Sequence, residues 1–270
     1  MTTAAPERAR SPRVAGRPHP ALRSLLPRGY AGFTAATAPR HLVLPATVSV
    51  PLVVKLVDSP HRPPQFLMGA HGAPLVVDGD CARSYLEVWL APLAAYTLLG
   101  LPMEELSGHT VDLVEVLGAD AGRLAEQLRE SPSWRRRFAL LDRFLLRRLA
   151  RGPRPAAEVG RAWQWLVSTG GAVTIGRLAG EVGWSHKHLI ARFRQQVGLT
   201  PKTAARLVRF NAVWRRLDQG PSPDRADLAR DAGYADQAHL VRDFHQLTGM
   251  TPTGYLAQVN SVQAAVAAAS

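Results

Sequence analysis

The 270 residues are 46% apolar, enough for two compact domains of ordinary size and too many for a chain disordered throughout. The single cysteine, Cys81, excludes an intrachain disulfide framework and a zinc site built on cysteines alone, and it fits the cytoplasm. The formal net charge of +12 is uneven: residues 1–130 hold 12 Lys/Arg and 12 Asp/Glu, residues 131–260 hold 21 and 9. Such a basic second half attracts polyanions, with nucleic acid the leading candidate and an ordinary solvated surface the alternative.

Residues 1–30 are basic and proline-rich without the apolar core of a secretory signal, which predicts a disordered leader. From 31 to 118 the text favours a small β-rich effector or dimerisation domain, barrel or sandwich-like, built of short apolar runs separated by Pro, Gly and Asp. In "SYLEVWL" (84–90), Leu86, Val88 and Leu90 alternate with Tyr85, Glu87 and Trp89, which is strand period. If this domain holds a small-molecule effector, Tyr85 and Trp89 are its candidate wall residues; a pure dimerisation module is the other reading. The longest uncharged run, 88–103, is broken by Pro92, Gly100 and Pro102 and is too short to span a bilayer, so no membrane partner is expected.

Residues 119–155 read as a helical linker region. Ser131 is the expected N-cap of a helix with Pro132 in its first turn, Trp134, Phe138, Leu141, Leu145 and Leu149 on one face and arginines opposite. Those arginines are either a solvated surface or a face leaning toward a phosphate backbone. "RGPRP" (151–155) is the best domain boundary, since no helix continues through it.

The rest is organised by a repeat, "GWSHKHLIARFRQQVGLTP" (183–201) and "GYADQAHLVRDFHQLTGMTP" (233–252). Leu178-Ala179 and Gly183-Trp184 return as Leu228-Ala229 and Gly233-Tyr234 at an offset of 50. Leu189, Phe193, Gly198, Thr200 and Pro201 return as Leu240, Phe244, Gly249, Thr251 and Pro252 at 51, so one extra residue lies in the second turn. Each copy has a first helix with a small Ala, a turn glycine, an N-cap (Ser185 or Asp236), and a second helix with two apolar residues four apart on its buried face. The glycine and Thr-Pro that follow stop that helix and start the next. The architecture expected overall is α+β: the β-rich domain with flanking helices, then an all-α domain of two helix-turn-helix units joined by a long helix.

With these residues in place, 156–257 resembles the double helix-turn-helix DNA-binding domain of the AraC/XylS family of bacterial transcription regulators. The upstream passage "LAPLAAYTLLGLPMEELSGHTVDLVEVLG" is similar to the N-terminal domain of a subset of them, and residues 258–270 read as a flexible Ala-rich tail. The resemblance implies a sequence-specific regulator, activator or repressor, with double-stranded DNA as partner. RNA polymerase, a small-molecule effector and a second copy of the chain are further candidate partners, and no cofactor is implied.

Placing Leu189 and Phe193 in the core leaves Lys187, Ala191 and Arg194 on the far side of the helix 185–197, with His186 and Ile190 at its margins. In the helix 236–248 the equivalent places go to Gln237, Ala238, Val241, Arg242 and His245. His239 joins the candidate DNA-binding set, but like His188 it precedes a buried leucine, where packing or phosphate contact is favoured over base readout. Arg242 suits a guanine edge and Gln237 an adenine, Ile190 and Ala191 suit a thymine methyl, and Arg194 suits a phosphate.

Two other classes are weighed against this reading. One is a ligand-binding protein with a non-specific DNA-binding appendage. The other is a DNA-alkylation-repair-type enzyme, whose nucleophile sits in a Pro-Cys-His-Arg type motif that "DGDCARSY" around Cys81 lacks. No phosphate-binding loop, nucleophile elbow or dinucleotide fingerprint is present, so no enzyme is expected. His186 and His188 point apart on a helix, and His41, His61, His71 and Glu87 share no tight motif, so no metal site is expected either.

Overall fold

The computed structural model describes residues 13–34, 41–57, 59, 62–78, 84–218 and 225–255; Cys81, His61 and the tail 258–270 lie outside them. The strands are β1 (Arg13–Gly16), β2 (Tyr30–Thr34), β3 (His41–Leu44), β4 (Val50–Lys55), β5 (Gln65–Met68), β6 (Leu75–Asp78), β7 (Ser84–Leu90) and β8 (Thr110–Asp112). Six of them form an antiparallel sheet in the order β1-β2-β7-β4-β5-β8, and β3 pairs with β6. Strands β1 and β8 are edges, so among the described residues the sheet does not close into a barrel. Leu44 and Tyr85 pack with Val53, Phe66 and Met68 on one face, while Leu52, Val54, Leu86 and Val88 join the main core on the other. The period-two alternation of 84–90 is thus realised, with Leu86, Val88 and Leu90 fully buried.

The helices α1 (Pro92–Leu99), α2 (Leu113–Leu117), α3 (Ala119–Glu130) and α4 (Trp134–Arg151) supply the rest of that core. Helix α4 starts later than the sequence predicts. Ser131 ends α3 as its C-cap, and Ser133 is the residue whose side chain accepts from Arg136 N at 3.3 Å. The connection between the two helices is short, so the serine nearer α4 takes the capping role.

The larger correction concerns the expected leader. Residues 13–34 are part of the sheet: β1 pairs with β2, and Leu22, Leu26 and Tyr30 are buried. Composition hid this, because the apolar residues are scattered among arginines and prolines. What fixes the segment is α4, whose Phe138 and Trp134 rings occupy the space a Cβ at Gly16 or Gly32 would need. Asp142 of α4 also accepts from Tyr30 Oη at 2.7 Å and His19 N at 2.8 Å.

Beyond the boundary lie α5 (Ala157–Ser168), α6 (Ile175–Val182), α7 (His186–Val197), α8 (Pro201–Asp218), α9 (Arg225–Asp231) and α10 (Gln237–Thr248). Their core also takes in Ala46, Val48 and Ala70 from the strand-rich part, so the two halves share a hydrophobic seam. Ala46 N donates to Leu247 O of α10 at 2.8 Å, and Ala156 N donates to Gln196 Oε1 of α7 at 2.9 Å. A 3-10 turn, Met103–Glu105, borders the C-terminal end of α7, where a Cβ on Gly198 would approach Met103 O to 3.1 Å.

Candidate nucleic-acid interface

Each repeat folds by the same local logic. Gly183 and Gly233 adopt φ of +72° and +71°, which glycine accepts without a Cβ penalty. The next residue then closes the turn, Trp184 N onto Ala179 O at 3.0 Å and Tyr234 N onto Ala229 O at 2.9 Å. Ala179 and Ala229 are both buried, as a small residue at a helix crossing must be. Ser185 accepts from His188 N at 3.3 Å and Asp236 from His239 N at 2.6 Å, starting α7 and α10. The extra residue of the second copy is Ala235, inserted between the turn-closing Tyr234 and the cap.

The two units are joined by α8, whose 18 residues run about 27 Å. Thr203 N donates to Thr200 Oγ1 at 3.1 Å at its start, with Pro201 in the first turn. Phe210 and Trp214 of α8 meet Phe244 of α10 at ring-centroid distances of 5.3 and 6.0 Å, and Tyr255 closes the cluster on Trp214 at 4.2 Å.

Leu189 and Phe193 of α7, and Leu240 and Phe244 of α10, are buried. On the opposite faces His186, Lys187, Ile190, Ala191 and Arg194 are exposed, as are Gln237, Ala238, Arg242 and His245. His239 and Val241 are half-buried. The structure therefore brings the predicted residues together as two outward faces at the starts of α7 and α10. His239 is engaged edge-on by Tyr234 at 5.3 Å, and His188 by Trp184 at 4.5 Å, so both rings serve the packing of their turns.

Arg194 is not free as expected: Nε lies 3.6 Å from Glu104 Oε2. The carboxylate comes from the 3-10 turn of the strand-rich half, a neighbour the local pattern could not reveal. Asp243, the acid next to Arg242 in α10, is turned inward. It is buried, paired with Arg206 of α8 and accepting from Tyr234 Oη at 3.0 Å, while Arg206 also reaches Gln246. Burial, then the Asp243 charge, pushes the Tyr234 hydroxyl well above the usual tyrosine range. This bracket between α8 and α10 went unseen in the sequence, where the repeat carries Arg192 at the equivalent position.

Tyr85 and Trp89 lie on β7 with ring partners of their own. Tyr85 stacks on Phe33 at 4.7 Å, and the Arg28 guanidinium covers Trp89 at 4.0 Å. Burial lowers the proton affinity of His71, against the opposing effect of its hydrogen bond with Ala73 O at 2.7 Å. Among the described residues no three His, Cys, Asp or Glu side chains gather as a metal site, and no helix is long and apolar enough to cross a membrane.

Residues 178–258 match the family model described as a helix-turn-helix domain. An HTH-type transcriptional regulator of Bacillus subtilis (strain 168), YbfI, is 34% identical over 89 residues, 33% of this chain and 32% of that protein. The chain thus matches about a third of the length of this curated relative. Among solved structures, ToxT of Vibrio cholerae aligns at a TM-score of 0.46 and 10% identity, over 85% of this chain and 97% of ToxT. The C-terminal domain of the response regulator AraT of Geobacillus stearothermophilus aligns at 0.36 and 21% identity, over 38% and 87%.

Proposed function

We propose that the chain, which carries a helix-turn-helix domain of the AraC/XylS type across residues 178–258, is a DNA-binding transcription regulator that reads two successive major-groove segments with α7 and α10. The observation that carries this is the pair of outward faces on two capped helices, spaced by one helix of about 27 Å. That length is of the same order as the ~34 Å between successive major-groove faces on one side of a duplex. One chain then does what a helix-turn-helix dimer does, on an asymmetric site of about two turns. Basic side chains supply salt-dependent affinity and base-edge contacts supply the preference. Work in the cytoplasm follows from that role.

The two faces are unequally equipped. Arg242 and Gln237 offer bidentate contacts to guanine and adenine, while α7 offers Lys187, with Ile190 and Ala191 limited to apolar contact. Arg242→Ala is expected to cost about 1–3 kcal/mol on the preferred site and to relax selection at one base pair. Selection of bound fragments from a genomic library, run with both proteins at one salt concentration, checks this. An unchanged preferred site removes Arg242 from base reading, and no shared motif with the wild-type chain removes the sequence-specific reading altogether.

Glu104 competes with phosphate for Arg194 in this scheme. Both side chains are about half exposed, 52% for Arg194 and 40% for Glu104, so the pair is worth little for stability. Glu104→Gln is expected to tighten DNA binding roughly two- to fivefold and to steepen its salt dependence by up to about one counterion. Titration at several salt concentrations reads both, and an affinity and slope equal to wild type would show that Arg194 meets no phosphate.

A further inference from the structure

Helix α4 carries a positive stripe that its own fold does not explain. Arg136, Arg143, Arg147 and Arg151 lie within an arc of about 80° and along about 22 Å of the helix axis. All four are exposed, and none has a carboxylate within ion-pair distance among the described residues. Three surface arginines do find one, Arg123, Arg161 and Arg230 each pairing with an acid three residues earlier, while others such as Arg135 and Arg242 do not. The single acid within α4, Asp142, is taken by Tyr30 and the His19 amide.

For the helix itself this arrangement is unfavourable. Arg143, Arg147 and Arg151 follow one another at i, i+4 spacing, where like charges destabilise. Arg136 stands in the first turn, the end at which the helix dipole disfavours cations, and no acid is present there. The dipole favours cations only in the last turn, which holds Arg151 of the stripe and Arg148, the latter donating to Leu98 O at 2.8 Å and Leu99 O at 3.0 Å. Arg143 and Arg147 share a cleft with Asp120 of α3, but that carboxylate is paired with Arg123, so the four guanidinium groups remain open to an external polyanion.

Its place in the fold indicates which one. Helix α4 ends beside α1, and a few residues past Arg151 the chain is hydrogen-bonded to α7 through Ala156 and Gln196. The end of the stripe therefore lies a few residues along the chain from the C-terminal end of α7. We propose that it docks on the phosphate backbone of the duplex flanking the segment read by α7 and α10, an assignment that rests on the regulator reading above. Guanidinium groups grip phosphate oxygens through paired hydrogen bonds, so four of them can neutralise up to about four phosphates.

The test compares the wild-type chain with the quadruple variant R136Q/R143Q/R147Q/R151Q, glutamine being a good helix former. Binding is titrated against salt on two duplexes, one trimmed to the selected site and one extended beyond it by a helical turn at each end. On the long duplex the variant is expected to bind more weakly, with a log K versus log salt slope shallower by ~0.9 for each phosphate lost. Its base preference should be unchanged, and on the short duplex it should match wild type. Equal slopes for the two proteins on the long duplex overturn the proposal and leave an acidic protein surface as the stripe's partner. A wild-type chain with no sequence preference on either duplex overturns the regulator reading, and with it the flanking contact, through a different readout.

Discussion

Asp243→Ala is expected to destabilise the second reading unit by about 3 kcal/mol or more, the usual cost of breaking a buried ion pair by removing one partner. The Asp243 side chain is 7% exposed and holds both the Arg206 guanidinium of α8 and the Tyr234 hydroxyl of the turn. Without it Tyr234 loses its acceptor, and Arg206, 29% exposed, keeps only Gln246 and water. Thermal and urea unfolding measure the loss, and DNA titration should show selectivity falling at the half-site assigned to α10. Asp243→Asn, which keeps an acceptor for the hydroxyl but not the charge, should lie between the two. A midpoint within a degree or two of wild type for the alanine variant would show that α10 is held by its apolar face alone. The tyrosine also sets a pH limit. Its hydroxyl is raised above the usual value of 10.0, so its contribution is complete below pH 10 and declines as pH rises past it, the unfolded chain releasing that proton first.

Phe193→Ala is the counterpart in the first unit, expected to cost about 3–5 kcal/mol. Phe193 is fully buried, and its ring lies 6.3 Å from that of Trp163 on α5. The void cannot close readily, because α7 is fixed at its far end by the Gln196 hydrogen bond to Ala156 and by the turn at Met103. At roughly 2–4 °C per kcal/mol for a chain of this size, the unfolding midpoint should fall by on the order of ten degrees. Ile190→Ala, on the exposed face of the same helix, should stay within about 0.5 kcal/mol and affect DNA binding alone. A large stability loss for Ile190→Ala would reverse the assignment of the two faces.

The reading units were legible because their determinants are local. Turn glycines, caps and apolar residues four apart act within one helix or one turn, and a repeat displays each of them twice. The strand 84–90 was legible for the same reason, its alternation being a property of seven consecutive residues. What escaped depends on distant partners. Nothing near Arg194 in the chain announces Glu104, and nothing near Asp243 distinguishes a surface acid from one buried under Arg206. The segment 13–30 was misread because its order comes from α4, more than a hundred residues away, whose aromatic rings fill the space left by Gly16 and by Gly32 of the neighbouring strand. Ser131 and Ser133 are equally good caps on paper, and the length of α3 decides between them.

The bond from Ala46 to Leu247 has a mechanical consequence. The loop carrying Ala46 is joined through the mutual Thr47 and His71 backbone bonds to Ala70, and Ala70 O accepts from Gly108 N and Ser107 Oγ, beside the turn that carries Glu104. The strand-rich half thus grips the last turn of α10 with one edge and the last turn of α7 with another. The molecule is a caliper whose jaws are spaced by α8 and braced from behind. If α7 and α10 read DNA as proposed, such a tool gauges the phase between two half-sites as well as their letters: one inserted base pair turns the second half-site by about 34° away from its jaw.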